Sequence, residues 1–489
     1  MADSASVPFT ETKEPVAPER LHRGALGLVD IAASTMANIG PAYSFFFGFG
    51  LIVVTAGIAA PLTIIAAGVA VALLGNTLSQ FSRAHPSTGG FITFVGRTFG
   101  GTSAVTTALL CGAGYIIAIS SVLTVSGWFL EFTLHYYFGW DVPWVIWSVL
   151  LTAGAVAMML RGVGVSTRLA GFFFGFEMLV LVVVSVISLA RNGGHLSAAP
   201  FDPRHITGGF SGLAAGFPLA VYLFIGWENS AALAEETGSP RRNVPRAVFL
   251  SIALMLAGYV LFAYATVSGF ADNAGRLAAA PIPFITVAHS SLAALAVIAY
   301  IAGLTSTLGV LIAAVNSQAR LIFNAGREGL LPRFIGRVSP ARQVPRNAIF
   351  TFVGIATLLI LIWAAGHLIG GHAARGSING LTFFDESGTM GTLLVLVVYF
   401  LANLALPFYY HRYRPAEFRV LKHAILPVLG MIAIAIPVYY LCKPPQPAPY
   451  DWFPYAAAAI IIVATTYALL LTRRDPGLGD RVGSIVADE

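Results

Sequence analysis

Apolar segments separated by short polar stretches recur along almost the whole chain. A helix needs about 20 predominantly apolar residues to cross a bilayer, and the pattern predicts twelve such spans. Their predicted bounds are residues 25–53, 57–82, 102–134, 143–160, 168–190, 208–235, 245–270, 283–325, 346–366, 388–410, 422–442 and 453–472. The chain is therefore predicted to be an all-α polytopic membrane protein whose surface contacts a lipid bilayer.

The first span is interrupted near its middle by Gly40 and Pro41. Glycine weakens a helix, and proline removes one N–H donor and clashes with the preceding turn. In hydrocarbon such a break is tolerated only where the freed backbone groups meet protein, water or a ligand. The alternatives are a simple proline kink and one half of a binding site.

A second interruption lies five spans later, where Gly226, Glu228, Asn229 and Ser230 fall inside the sixth span. Because five is an odd number, a five-helix unit that begins at span six enters the membrane from the opposite side. Broken helices at corresponding positions of two such halves are typical of inverted-repeat secondary transporters. The two interruptions therefore favour a transporter over a kinked bundle.

Charge indicates the orientation. The chain is 57% hydrophobic and 10% charged, and of its 28 Lys and Arg residues 23 fall in the tails and loops on the side of the N-terminus, against 5 on the other side. Positive charge is concentrated in cytoplasmic loops, so both termini are expected in the cytoplasm of a multi-pass protein of the cytoplasmic membrane. Because the basic residues lie in short loops, no nucleic acid partner is expected.

The sequence carries no motif typical of disulfide-linked, metal-binding or enzymatic proteins. Cys111 and Cys442 lie inside apolar runs, so neither a disulfide framework nor a metal site is predicted. We find no phosphate-binding loop and no nucleophile–base arrangement. The protein is accordingly expected to be no enzyme and to use no cofactor.

Three loop motifs carry a family resemblance. Residues 234–247 read AEETGSPRRNVPRA, residues 85–94 read HPSTGGFITF, and residues 318–332 read QARLIFNAGREGLLP. Together these stretches resemble the signatures of the amino acid–polyamine–organocation (APC) superfamily permeases, with phenylalanine for the aromatic residues of the family's Pro-x-x-Gly-Gly-x-Tyr-x-Tyr run. The resemblance covers roughly residues 24–472.

The resemblance implies a leucine-transporter-like fold of two inverted five-helix repeats plus two accessory helices. The implied divisions are a cytoplasmic tail (1–23), the first repeat (24–190), the second repeat (208–411), accessory helices eleven and twelve (422–472) and a cytoplasmic C-terminal tail (473–489). Alternating access around a central site follows from that fold.

The resemblance also implies a substrate site at the two breaks. In amino acid members the substrate carboxylate rests on N–H groups of span one, and its amine meets carbonyl groups of span six, as helix-end electrostatics favour. The expected substrate-binding residues are Asn38, Ile39, Gly40, Ala42, Tyr43, Ser44, Tyr115, Tyr222, Phe224, Ile225, Gly226 and Glu228.

Span one departs from the family pattern at this site. Gly40, Pro41 and Ala42 stand where amino acid members carry Gly-Ser-Gly, which leaves N–H groups of Ala42, Tyr43 and Ser44 as donors. Putrescine-type importers of the superfamily also carry proline here. An amino acid is the expected substrate, and a polyamine or other organic amine is the alternative.

Glu177 is an acidic residue in the middle of span five. An acid in hydrocarbon is costly and normally faces the bundle interior. Proton-coupled members of the family carry a lysine near this point, so the charge is reversed here. We expect Glu177 to be the coupling site for a proton, with sodium as the alternative ion, and to contact Thr305 or Ser306 on span eight. The competing interpretation is a permanently protonated glutamate bonded to a neighbouring helix.

The predicted function is that of a secondary active transporter that imports amino acids by alternating access with proton coupling. An ion channel is the more remote alternative, and it would require a selectivity filter or rings of like side chains. Asp385 and Glu386, which precede the predicted span ten, are expected to cap that helix.

Overall fold

The computed structural model describes residue 21 and residues 24–339, 342–369, 379–484 and 486–487. Apart from Leu21, the predicted N-terminal tail lies outside these residues. The regular structure of the described part is helical, with one isolated bridge between Leu26 and Thr237.

The long helices follow the order of the predicted spans. Their bounds are Leu28–Ile39 and Pro41–Ala56 (span one), Ala60–Ala84 (two), Gly101–Phe138 (three), Trp144–Met159 (four), Val163–Arg191 (five), Phe210–Tyr222 and Asn229–Ala232 (six), Pro240–Gly269 (seven), Ala293–Arg327 (eight), Arg346–Ile369 (nine), Gly380–Tyr413 (ten), Leu426–Cys442 (eleven) and Phe453–Arg474 (twelve). Shorter helices are Gly90–Phe99, Ala274–Ala278, Pro283–Ser291 and Leu478–Arg481.

Nine helical stretches of the described chain are long and apolar enough to cross a membrane. The first of them, Leu28–Ala84, contains both span one and span two. Two shorter apolar helices, Trp144–Met159 and Phe210–Tyr222, stand where spans four and six are predicted. Each of the twelve predicted spans therefore corresponds to a helix.

Span eight differs from its prediction. The predicted segment 283–325 is two helices, because Leu292 is extended (φ −164°, ψ 127°) between Pro283–Ser291 and Ala293–Arg327. A single extended residue leaves the hydropathy of the segment unchanged, so the apolar pattern could not reveal it.

Burial separates a central group of helices from a peripheral pair. The most apolar windows of spans three and ten are each 72% buried, whereas those of spans eleven and twelve are 22% and 17% buried. Span one runs through the interior, and nearly every residue from Ile31 to Phe49 is buried. The broken span therefore lies in the core, while spans eleven and twelve have the exposure of accessory helices.

Ion pairs close the end of the bundle that carries the N-terminus. Arg320 on span eight donates to Glu236 at 2.5 Å, and Arg327 donates to Glu235 at 2.8 Å. The backbone of Leu26 pairs with the same segment, donating to the carbonyl of Glu236 at 2.9 Å. These contacts join the ends of spans one, six and eight.

Candidate functional site

Gly40 makes the break in span one. It adopts a left-handed conformation (φ 61°, ψ 74°) between the two half-helices, which L-residues with a side chain rarely adopt. A Cβ atom at this position would lie 2.1 Å from Cγ2 of Val310 on span eight. Pro41 then occupies the first turn of the second half-helix, where a missing N–H costs nothing. The sequence Gly-Pro therefore specifies both the end of one half-helix and the start of the next.

The donors at the start of the second half-helix are all occupied by the protein itself. The N–H of Ala42 donates to Oε2 of Glu177 at 3.0 Å, and the N–H of Tyr43 donates to Oγ of Ser306 at 3.0 Å. The N–H of Ser44 donates to the carbonyl of Gly40 at 2.7 Å, and its hydroxyl donates to the carbonyl of Ile39 at 2.6 Å. A carboxyl group from span five thus stands where a helix N-terminus attracts an anion.

Glu177 is fully buried at this position. Its second carboxyl oxygen, Oε1, has no hydrogen-bond partner among the described residues. Of the two expected neighbours, Ser306 meets the same half-helix end, whereas Thr305 donates to the carbonyls of Ile301 and Ala302 in its own helix. Glu177 and Ser306 therefore contact the break in span one, whereas Thr305 makes its hydrogen bonds within span eight.

The break in span six lies against the break in span one. Residues 223–228 form turns between the two helical pieces, and Gly226 has a positive φ of 108°. The side-chain amide of Asn38 donates to the carbonyl of Gly226 at 3.3 Å. The two interruptions are therefore in direct contact, as a shared site requires.

Span six offers carbonyl oxygens, and most of them are in use. The carbonyl of Leu223 accepts from the hydroxyl of Tyr259 at 2.8 Å, and that of Gly226 accepts from the N–H of Asn229 at 3.1 Å as well as from Asn38. Within the described chain, no group donates a hydrogen bond to the carbonyl of Ile225 or to that of Trp227. These two carbonyls of the break are therefore open to a further donor.

The side chain of Glu228 contacts the backbone of the break in span six. Its carboxylate accepts a hydrogen bond from the hydroxyl of Tyr115 at 2.7 Å and another from the N–H of Gly226 at 3.2 Å. Both Tyr115 and Glu228 are buried. The pair fixes the turn at Gly226 from the side of span three, so both residues support the break.

Aromatic side chains lie between the breaks and a pocket lined by the second half of span one, the first half of span six and span ten. The hydroxyl groups of Tyr43 and Tyr222 are 3.1 Å apart and hydrogen-bonded. The ring of Phe384 on span ten packs edge-on against Tyr43, with centroids 5.7 Å apart, and against Tyr222 at 6.1 Å. Phe224, in contrast, is buried against the ring of Tyr259 and does not take part in this barrier.

The expected capping role of Asp385 and Glu386 is wrong. Span ten begins at Gly380, and the side chain of Asn379 caps it by accepting from the N–H of Leu381 at 2.9 Å. Asp385 instead lines the pocket beside Tyr222 and Phe384. The sequence shows a carboxyl group next to an apolar run. Because span ten was predicted to begin at residue 388 and not at Gly380, Asp385 was assigned to the helix start and not to the helix interior.

The sequence matches a known protein family over most of its length. A profile of the amino acid permease family matches residues 26–466. The chain belongs to this family. Its relatives are permeases and transporters, and the family assignment confirms the resemblance seen in the loop motifs.

Individual relatives show the range within the family. The branched-chain amino acid permease BcaP of Lactococcus lactis is 24% identical over 334 residues, which cover 66% of this chain and 66% of the relative. The methylthioribose transporter of Bacillus subtilis is 25% identical over 426 residues, which cover 81% of this chain and 85% of the relative. The chain thus spans about two thirds of the Lactococcus relative's length, and the relatives differ in the substrate that their names give.

The structural comparison concerns the fold. The structure of Mhp1, a nucleobase-cation-symport-1 family transporter in a closed conformation, matches with a TM-score of 0.52 and 14% identity. The match covers 96% of this chain and 99% of that protein. The predicted leucine-transporter-like fold is thereby confirmed for this chain.

Proposed function

We propose that the protein is a secondary active transporter that imports an amino acid by alternating access around the two breaks. The observation that carries this proposal is the contact between the breaks, where Asn38 donates to the carbonyl of Gly226. In a family of permeases, two touching half-helix ends bring N–H donors of one span, here occupied by protein groups, close to carbonyl acceptors of the other. The excess of positive charge in the N-terminal-side loops supports a cytoplasmic position for both termini.

In this proposal the substrate carboxylate exchanges places with Glu177. The amine of the amino acid binds the free carbonyl of Ile225, and the carboxylate takes the N–H of Ala42 that Glu177 now occupies. A displaced Glu177 would be a buried carboxylate without a hydrogen-bond donor, which is very costly unless it takes up a proton. Binding of one carboxylate then brings one proton into the protein, which is the requirement for proton symport.

The substitution Glu177→Gln tests the coupling. A pH difference of about one unit is worth about 1.4 kcal/mol per proton, so a one-to-one symporter accumulates substrate about tenfold. We expect the wild-type protein in proteoliposomes to concentrate a radiolabelled amino acid under an acid-outside gradient. The Gln variant should still exchange substrate across the membrane but should lose the accumulation.

The matched control for this experiment is Glu131→Gln. Glu131 is half-buried on span three, away from both breaks, and its loss removes the same charge. This variant should accumulate substrate like the wild-type protein. Tenfold accumulation by the Glu177 variant would show that the proton is bound elsewhere.

An organic amine without a carboxylate is the second candidate substrate. The position of Glu177 favours it, because the half-helix end at Ala42 already has a carboxyl group and needs none from the substrate. The two candidate substrate classes can be separated by testing which compounds inhibit uptake of the radiolabelled substrate. Amino acids are compared with their decarboxylated counterparts, for example leucine with isopentylamine. Competition by amines alone would contradict amino acid transport.

A further inference from the structure

A pocket opens beside the breaks and has no role in the site described above. It lies between the second half of span one, the first half of span six and the start of span ten. Aromatic rings of Phe47, Tyr222 and Phe384 form part of its wall. Tyr222 belongs both to this wall and to the hydroxyl pair with Tyr43, so the pocket adjoins the substrate site.

Asp385 is the only charged residue among the described residues that line this pocket. Its side chain makes no hydrogen bond and no ion pair within the described chain, although it is only partly accessible. A carboxylate withdrawn from water without a partner is unfavourable, and the cap of span ten is already supplied by Asn379. Neither packing nor capping therefore explains the aspartate.

The neighbouring Glu386 shows what a structural carboxylate in this helix does. It accepts a hydrogen bond from the indole N–H of Trp363 on span nine at 2.7 Å. Glu386 thus faces span nine, away from the pocket, and joins two helices. The two consecutive acids have different surroundings, and only Asp385 is open to a ligand.

The chemistry of the pocket suits a cation. An unpaired carboxylate attracts an ammonium or guanidinium group, and such hydrogen bonds are stronger than neutral ones. The faces of Phe and Tyr rings add attraction for the same charge. No Lys, Arg or His is among the described lining residues to offset the carboxylate.

We propose that this pocket is a subsite for a second, distal positive charge of the substrate, held by Asp385. The inference rests on the proposed function and deepens it. The amine at the breaks and the cation at Asp385 are then two ends of one molecule, joined by a methylene chain that passes between Tyr43 and Tyr222 when their hydroxyl groups separate. Basic amino acids and α,ω-diamines share this chemistry.

Matched ligand pairs test the subsite on purified full-length protein. Lysine and norleucine differ at the chain end by the ammonium group, as do cadaverine and pentylamine. We expect the wild-type protein to bind the doubly aminated member of at least one pair about tenfold more tightly, as a charge-assisted hydrogen bond allows. A preference confined to lysine identifies a basic amino acid, and a preference confined to cadaverine identifies a diamine.

Asp385→Asn should reduce that preference to near unity, while Asp385→Glu should retain most of it. Glu386→Gln is the control, because it removes one charge from the next residue and leaves an acceptor for Trp363. This control should keep the wild-type preference.

Two results would overturn the subsite. One is equal binding within both pairs by the wild-type protein, and the other is an undiminished preference in Asp385→Asn. Norleucine uptake in either case would leave the proposed transport function standing. Failure of all four ligands in both binding and uptake would contradict the subsite, and accumulation of leucine would then decide the transport proposal separately.

Discussion

Gly40 fixes the break at which the substrate site is proposed. Its positive φ and the 2.1 Å approach that a Cβ would make to Val310 leave no room for a side chain. Gly40→Ala should shift the start of the second half-helix, and with it the N–H groups of Ala42 and Tyr43. We expect a loss of uptake of about tenfold or more, because small displacements in a site of this kind have large effects.

Gly154→Ala is the control for this change. Gly154 lies inside span four, and a Cβ there would meet no atom within 4 Å. Alanine is the better helix former by about 1 kcal/mol, so the control should be as active and as stable as the wild-type protein. Uptake by Gly40→Ala at the level of Gly154→Ala would show that the left-handed turn is dispensable.

The sequence was sufficient to predict the break in span one, but not that Glu177 accepts a hydrogen bond from one of its N–H groups. Gly40 and Pro41 disrupt a helix through local backbone chemistry, which can be read without any neighbour. That Ala42 donates to Glu177 depends on how span five packs against span one, and the two residues are 135 positions apart. The same limit applies to Asp385, whose surroundings come from spans one, six and ten.

At the scale of elements, the ion pair between Arg320 and Glu236 joins spans eight and six. Both side chains are 1% exposed, and the guanidinium also donates to the carbonyl of Asn316. Removing one partner leaves a buried charge, which typically costs about 3–5 kcal/mol. Glu236→Gln should therefore lower the thermal unfolding temperature of the detergent-purified protein markedly.

The double variant Glu236→Gln with Arg320→Gln distinguishes charge from packing. It removes both charges and leaves a neutral amide at each position, although the glutamine at position 320 is shorter than the arginine. We expect it to unfold at a higher temperature than the single variant Glu236→Gln. A further drop in the double variant would mean that the ion pair acts through shape and hydrogen bonding alone.

At the scale of the whole molecule, hydropathy predicted the order of the twelve spans, because each span needs its own apolar run. The family resemblance, not hydropathy, placed spans eleven and twelve outside the repeats, and their low burial agrees with that position. The role of the C-terminal segment could not be predicted, because the groups that it contacts are distant in sequence. Residues 475–484, here named the C-terminal strap, lie against the ends of spans two and eight.

The strap is fastened at Gly483. Its N–H donates to Oε1 of Glu328 at 3.0 Å, and its carbonyl lies 3.0 Å from Nε2 of His85. The guanidinium of Arg481 donates to the carbonyl of Glu328 at 3.4 Å and pairs with Asp475. Two titratable groups, Glu328 and His85, are thus covered by the strap.

The two groups respond to pH in opposite directions. Burial raises the pKa of Glu328 from 4.5 to about 7, against the smaller opposing effects of Gly483, Asn324, Arg327 and Arg97. Burial and Arg97 lower the pKa of His85 from 6.5 to about 4, with further lowering by Arg241 and Arg414. Docking of the strap is therefore lost through His85 as the pH falls below 6.5. It is weakened through Glu328 as the pH rises from 4.5 towards 7.

Between pH 6.5 and pH 8 both groups still titrate when the strap opens and returns them to water. A Glu328 carboxyl whose pKa falls from about 7 to 4.5 on opening weakens docking about fourfold over this range, and a His85 imidazole whose pKa rises from about 4 to 6.5 strengthens docking about twofold. Hydrogen exchange at the Gly483 amide, corrected for its intrinsic rate, should therefore show a net loss of protection of about twofold in the wild-type protein. Glu328→Gln keeps an acceptor for Gly483 and cannot titrate, so the protection of this amide should rise about twofold through His85. A loss of protection in the Gln variant as well would place the pH-sensitive group elsewhere on this face.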